Sequence, residues 1–372
     1  MHAVWAIGLM TGTALDGFVD AAFIKTDGVE IYELGEFILH PYNNQDREIL
    51  AEAVQIALKW NFEGEKPAIF EDAKKIVTKI YSEAVFALLE KTNMKPDEIA
   101  YIGGHGLTLV HRPPMDGQNG QTLQILDGEL LAKITNIKTV YDFRTNDMVN
   151  AGQGAPLAPI YHAALLRYAN LKPPCAILNL GGVANITYWG GADDVIAFDC
   201  GPANGPLNEL IEKNGLGTYD KDGLIAARGK VSEETIAKIV SNPWFKQKYP
   251  KSLDRYDFDA NLVSHLSVED GAATLCALIG ECVDKALSLL PKKPKTLVLA
   301  GGGRKNPIII NAIESRAQIV TIDADEIGLR GDAVEAECFG YLAIRSAKKL
   351  PISFPNTTGV KSPISGGIIS NF

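Results

Sequence analysis

Apolar residues in the first fifty positions fall into short runs at 4–9, 19–25 and 31–39, broken by Thr11-Gly12-Thr13 and by Thr26-Asp27-Gly28. Runs of that length between turn residues predict a meander of three strands. The period then changes. Over 46–60 and 71–91 the apolar residues recur at three- and four-residue steps, the spacing of amphipathic helices. A short apolar run at 99–102 follows and ends in Gly103-Gly104-His105-Gly106, a strand terminating in a glycine turn.

The same order returns in the second half. Runs at 175–180, 185–189 and 195–200 predict a second meander, with Gly181-Gly182 closing its first strand; helical patterns cover 206–212, 233–240 and 271–290. The run at 296–300 ends in Gly301-Gly302-Gly303, and a last helix is expected from about 332 to 349, before an irregular Pro/Gly/Ser tail over 351–372. A repeated order of elements implies duplication. The expectation is two α/β lobes, 1–150 and 151–372, with part of the C-terminal helix packing on the first lobe and a nucleotide and sugar cleft between them. In open α/β architectures ligands bind at strand ends, where these glycine turns sit.

Composition narrows the classes. With 46% hydrophobic and 22% charged residues in 372, the chain can bury a full core, which excludes disorder. The 36 basic and 45 acidic residues leave a net charge of −9, and no Lys/Arg block could track a phosphate backbone, so nucleic acid is not expected as a partner. Five cysteines, an odd number without a C-x-x-C pair, argue against a disulfide framework and for reduced thiols in the cytoplasm. Residues 1–10 lack a basic n-region, and Glu281, Asp284 and Lys285 interrupt the most apolar later stretch, so neither signal peptide nor membrane span is expected. No P-loop pattern occurs, and no strand-G-x-G-x-x-G-helix unit opens the chain. A nucleotide would instead be clamped by separate glycine turns.

Gly12-Thr13-Ala14-Leu15-Asp16-Gly17 is a candidate phosphate loop, because glycines let backbone N–H groups approach an anion; a plain Asp-Gly hairpin turn is the alternative. Asp16 suits a water-mediated contact to Mg²⁺, which takes only one or two carboxylates. Asp199, closing an apolar strand before Cys200-Gly201-Pro202-Ala203-Asn204, reads either as a general base facing a γ-phosphate or as the cap of the helix that follows. His105 and Thr108 gather with Gly106 at a strand end, while His111 reads as structural. Gly301-Gly302-Gly303 offers a backbone surface for adenine or ribose, or a tight strand-to-helix turn. Residues 141–147, with Arg144 and Asp147, and the run Gly152-Gln153-Gly154-Ala155-Pro156-Leu157 form a polar segment suited to a second substrate. Glu335 on the last helix is a ligand or a solvated helix charge.

The layout resembles the duplicated actin-like (ribonuclease H-like) ATPase fold of actin, hexokinase and Hsp70, which alone does not choose a function. The motifs go further. Residues 8–17, the Gly-Gly-His-Gly-x-Thr turn, Asp142-Phe143-Arg144 with 152–157, Phe198-Asp199-Cys200-Gly201-Pro202, Tyr219-Asp220-Lys221-Asp222-Gly223, Gly301-Gly302-Gly303 and Asp332-Ala333-Val334-Glu335-Ala336 resemble, in order, the anhydro-N-acetylmuramic acid kinases. The resemblance implies an ATP- and Mg²⁺-dependent cytoplasmic kinase of cell-wall recycling. Its reaction phosphorylates the 6-oxygen of 1,6-anhydro-N-acetylmuramate while water opens the anhydro bridge at the anomeric carbon.

By that resemblance Asp199 deprotonates the water. ATP is held by Gly12, Thr13, Ala14, Leu15, Asp16, Gly17, Phe18 and Val19, with Gly182, Asn204, Gly302 and Gly303. The sugar meets His105, Gly106, Thr108, Arg144, Asp147 and Glu335. The sequence departs from the family pattern at Thr11, Ala14, Leu107, Thr145, Asn146, Ala203 and Asn208, and Lys251-Ser252-Leu253-Asp254-Arg255 matches a family segment only in part. Two alternatives follow: a kinase for a different amino sugar, and a catalytically silent nucleotide-binding regulator. A homodimer is left open.

Overall fold

In the computed structural model, which describes residues 2–12, 15, 17–114, 119–253, 257–331 and 333–372, the first three apolar runs become β1 (Val4–Met10), β2 (Phe18–Thr26) and β3 (Ile31–Pro41), each antiparallel to the next. Helices α1 (Asn44–Trp60) and α2 (Ile69–Thr92) follow. Then come β4 (Ile99–Gly104), a hairpin of β5 (Leu107–Arg112) and β6 (Gln121–Ile125), α3 (Gly128–Thr135), β7 (Thr139–Tyr141), α4 (Thr145–Val149) and α5 (Pro159–Tyr168). β4 lies parallel to β1, and β7 parallel to β4.

The second meander is β8 (Cys175–Leu180), β9 (Val183–Gly191) and β10 (Asp194–Pro202), followed by α6 (Asn204–Lys213), α7 (Glu233–Val240) and α8 (Val268–Ser288). β11 (Thr296–Ala300) pairs parallel to β8; after α9 (Pro307–Ala317), β12 (Val320–Asp323) pairs parallel to β11. The chain ends with α10 (Val334–Ala347) and a short strand β13 (Ile368–Ile369).

Strand orders establish the duplication. The first sheet runs β13-β7-β4-β1-β2-β3 and the second β10-β9-β8-β11-β12. Read from the end of each meander, both place the third, second, first, fourth and fifth strands side by side, with only the second antiparallel to the rest. This is the ribonuclease H-like arrangement, present twice: a duplicated actin-like ATPase fold.

Residues group into two compact units, Met1–Tyr168 with Asp332–Phe372, and Ala169–Gly331. The division therefore falls after α5 rather than at 150, and the whole C-terminal stretch, rather than part of one helix, returns to the first unit. Its reason is visible in the packing. Ile7 and Leu9 on one face of β1 join the core with Phe23, Val77, Tyr81 and Ile102, and α10 covers the other face. A Cβ on Gly8 would land on the Ala336 carbonyl and one on Gly103 on that of Phe339. Only glycine lets the helix backbone come this close. In the second unit Ala176, Leu178, Phe198, Leu275, Ile279 and Leu297 centre the core.

Several expected boundaries shift. Gly103 and Gly104 belong to β4, and β2 starts at Phe18, so the first loop ends at Gly17. The tail over 351–372 adds an edge strand, with Ser370 exchanging hydrogen bonds with Thr139 on β7. No helix among the described residues is long and apolar enough to cross a membrane.

Candidate active site

In the second unit, three strand ends meet. The Asn204 N–H donates to the Gly181 carbonyl (2.9 Å) and its Nδ2 to the Leu180 carbonyl (3.0 Å), while Ala203 and Gly205 N–H groups donate to Gly182 O. The Gly301–Gly303 turn lies against the same residues: a Cβ on Gly303 would stand 2.7 Å from Leu180 Cβ and 2.8 Å from Asn204 Oδ1. Above Gly182 a Cβ would meet nothing within 4 Å. Gly182, Asn204, Gly302 and Gly303, widely spaced in sequence, thus form one backbone-lined surface with room for a ligand. Arg304 fixes the third turn by donating to Gly301 O (3.1 Å) while pairing with Asp323 (3.2 Å) and Asp325 (2.6 Å).

Asp199 sits on β10 where the ladder with β9 slips by one residue before Gly201. Gly201 is required there, since a Cβ would stand 2.7 Å from Cys282 Sγ. The α6 N-cap is Ala203, without a side-chain capping bond, so Asp199 does not cap that helix. Its backbone N–H donates to Lys251 O (3.0 Å), and its Oδ2 accepts the Leu253 N–H (2.8 Å). Burial raises the carboxyl to about 6, against the opposing pull of the Leu253 N–H and the Lys251 ammonium. A carboxyl of that strength is half-ionised at about pH 6 and mostly ionised at neutral pH, close enough to neutrality to both take and release a proton.

In the first unit His105 follows β4, buried, with its ring 4.6 Å from that of Phe339 on α10. Its Nδ1 lies 2.8 Å from Gly106 O, an acceptor only, so Nδ1 carries the proton and Nε2 is left to accept. Arg144 donates to Nε2 from Nε (3.1 Å) and Nη2 (2.9 Å), and from Nη1 to Gly154 O (2.7 Å). Burial, then the nearby guanidinium, hold His105 neutral, well below its ordinary value. Burial likewise lowers Arg144. Among the described residues, two of its five N–H donors remain and its direct acceptors are all neutral.

Asp147 is not free to bind a sugar. It is 1% exposed; Oδ2 accepts the Gly154 N–H (2.6 Å) and Oδ1 the Thr358 hydroxyl (2.6 Å), so it ties the loop after α4 to the C-terminal tail. Thr108 on β5 accepts from Gln124 Nε2 (3.2 Å). Gly106 takes a left-handed conformation (φ +76°) over Ile125. Glu335, in the first turn of α10, is solvent-exposed, with its carboxyl raised by desolvation and lowered in part by Arg144. His111 is held at about 4 by burial and shares a hydrogen bond with Thr122 (2.9 Å).

Thr13, Ala14 and Asp16 lie outside the described residues. Around them Leu15 drops into the core with φ +48° and donates its N–H to Gly12 O (3.1 Å). Gly17 (φ +98°) has open space where a Cβ would be. Phe18 and Val19 are strand residues, and Val19 is 1% exposed, so its side chain packs in the core rather than facing a phosphate. Two contributors were not singled out by sequence reasoning, Phe339 against His105 and Thr358 behind Asp147; Lys251 and Leu253 beside Asp199 were noted only as part of a segment that matches the family in part. Lys251 is one of three lysines, with Lys246 and Lys248, interleaved with Trp244, Phe245 and Tyr249, so the local sequence does not set it apart.

A twice-built ATPase fold, with a glycine-lined strand-end surface in one unit and a buried arginine on neutral acceptors in the other, places the chain in the class of actin-like phosphotransferases. The family model for anhydro-N-acetylmuramic acid kinase matches residues 4–371. The chain is 49% identical over 367 residues to the anhydro-N-acetylmuramic acid kinase of Brucella anthropi and 51% over 367 to that of Rhizobium rhizogenes, covering 99% of each chain in both cases. A solved gluconate kinase from Lactobacillus acidophilus, at 11% identity and TM-score 0.47 over 93% of this chain and 89% of that one, is too distant to bear on the assignment. The chain belongs to the anhydro-N-acetylmuramic acid kinase family, a family of sugar kinases.

The raised carboxyl of Asp199 has a stability consequence. Its folded value of about 6 lies above the ordinary 3.8. The neutral form's advantage is therefore fully present below the ordinary value and lost as pH rises through 6. Asp199→Asn, always neutral, is expected to raise the melting temperature at pH 8, by up to roughly 3 kcal/mol of stability, and to leave it unchanged at pH 3. Thermal melts at both pH values check this; an equal effect at both removes the raised carboxyl from the account.

Proposed function

We propose that the chain converts 1,6-anhydro-N-acetylmuramate, ATP and water into N-acetylmuramate 6-phosphate and ADP, within the recycling of cell-wall peptidoglycan. The observation that carries the reading is Asp199, a carboxylate raised to about 6 that keeps a backbone donor on Oδ2 and stands one strand end from a glycine-lined surface. Asp199 takes a proton from water as the water oxygen bonds to the anomeric carbon. The bond from that carbon to the 6-oxygen breaks, the 6-oxygen bonds to the γ-phosphorus, and ADP leaves. The proton passes from Asp199 to solvent, so the base returns ionised.

In this reading Gly182, Asn204, Gly302 and Gly303 hold the nucleotide, and the loop around Gly12 and Gly17 supplies backbone donors to its phosphates. Arg144 takes the lactyl carboxylate on its two remaining N–H groups, since a guanidinium pairs well with a planar anion. His105 acts through Arg144; Gly106, Thr108 and Glu335 complete the sugar side. Asp147 serves the loop. Magnesium fits as an ion carried in on the phosphates, where it would neutralise charge on departing ADP. The described residues contain no group of three or more His, Cys, Asp or Glu able to cage a metal, and Asp16, the carboxylate expected to meet it through water, is outside them. The five cysteines are free and buried, in keeping with a cytoplasmic setting.

Two measurements test the reading. Asp199→Asn keeps shape and removes the proton acceptor, so turnover should fall by roughly 10² to 10⁴ with both substrates still bound. In the wild type, kcat/KM should decline below a limb near pH 6, because the base must be ionised. Retained turnover in the variant would end the assignment of the base. Arg144→Ala should raise KM for the anhydro sugar at least tenfold more than KM for ATP; equal effects on both would take the lactyl group away from Arg144.

A further inference from the structure

We propose that Lys251 is a positioning residue of the reaction: its buried ammonium locks residues 251–253 beside β10 so that the Leu253 N–H is delivered to Asp199 Oδ2. This rests on Asp199 being the base. Lysine is seldom fully buried without a partner, yet Lys251 is 7% exposed and no carboxylate pairs with it among the described residues. Its Nζ instead donates to the carbonyls of Trp244 (3.2 Å) and Phe245 (3.4 Å), in the helical turn Pro243–Lys246, and lies 4.0 Å from the centroid of the Trp244 ring. Tyr249, two residues earlier, stacks on Phe198 of β10 at 5.5 Å. The segment is thereby pinned on both sides of Pro250.

Two backbone contacts then join it to the base. The Asp199 N–H donates to Lys251 O at 3.0 Å, and the Leu253 N–H donates to Asp199 Oδ2 at 2.8 Å. A backbone N–H on a carboxylate favours its ionised form, and a fixed cation nearby acts in the same direction. Both effects restrain a carboxyl that burial alone would carry higher, keeping it ionised at neutral pH. The other described groups around β10 do not supply this. Cys200 beside Asp199 and Cys282 from α8 are thiols that burial keeps protonated, Glu281 and Lys285 of α8 act on Cys282, β9 presents neutral Asn185 opposite Asp199, and Lys246 is solvent-exposed.

A plainer role is available, since a lysine at the end of a helical turn also satisfies its last carbonyls. That role predicts lost stability with an unmoved pH profile. The two are separated by the acid limb of kcat/KM in Lys251→Met, Lys251→Arg and Leu253→Pro, each checked for native folding. Lys251→Met should move the limb up by about one unit while the high-pH plateau is largely kept. Lys251→Arg should leave it near the wild-type value. Leu253→Pro removes the donor, at the cost of a fixed φ at 253 and a restricted Ser252, and in natively folded protein should move it up with the lysine still present, which keeps the question answerable if Lys251→Met does not fold. A limb that stays put in Leu253→Pro, or in folded Lys251→Met, overturns the proposal while an inactive Asp199→Asn leaves the base intact. If Asp199→Asn itself keeps its turnover, the base assignment fails, and this proposal with it.

Discussion

Helix α10 lies on β1 and β4 at backbone-to-backbone distance, and the site residues of the first unit take their positions from that contact. Gly8, Gly103 and Gly340 make it available, since any side chain at the first two would collide with a carbonyl of the helix. Once seated, α10 puts Phe339 against both His105 and Phe143, which neighbours Arg144, and brings Glu335 to the same neighbourhood in its first turn. Buried Glu337, one turn in, accepts from Tyr161 of α5 at 2.6 Å. The C-terminal stretch thereby completes a unit whose sheet was begun by the first residues of the chain.

The two units carry complementary electrostatic burdens. In the first, a guanidinium is buried against a neutral imidazole and a carbonyl, donors to spare. In the second, a partly buried carboxylate has one backbone donor on it and, among the described residues, no cation in contact. Each arrangement costs folding free energy that a paired ion would not, and perturbed groups of this kind gather where chemistry is done. The groups in direct contact with each charge are backbone or neutral, and the segments that carry them are fixed by bonds further out, which hold a charged side chain in place without pairing it. The Thr358–Asp147–Gly154 link does this for Arg144, and the 251–253 segment for Asp199.

Both meanders, the two long helices after the first, α8, and the final helix were legible in the sequence because period and turn chemistry agree over each. The hairpin of β5 and β6, with α3, α5, α9 and β12, was not, because those segments are short or lack a clean period. Site residues divided on a different line. Gly182, Asn204, Gly302 and Gly303 come together in the fold, since the glycines at strand ends permit close backbone approach. Asp147 and Val19 did not keep the roles their motifs suggested: one is consumed by a hydroxyl 211 residues away in sequence, the other turned into the core. Whether a polar side chain faces a ligand or its own fold depends on partners such as Thr358 and Leu253, which no local pattern announces.

The central claim is that water attacks the anomeric carbon while the 6-oxygen takes the phosphoryl group. The direct measurement is the position of oxygen-18 in product formed in labelled water, read within minutes and corrected by a control of unlabelled N-acetylmuramate 6-phosphate held for the same time. The account predicts label at the anomeric hydroxyl above the exchange control and none in the phosphoryl group. Label in the phosphoryl group, or an anomeric signal no higher than the control, would contradict it.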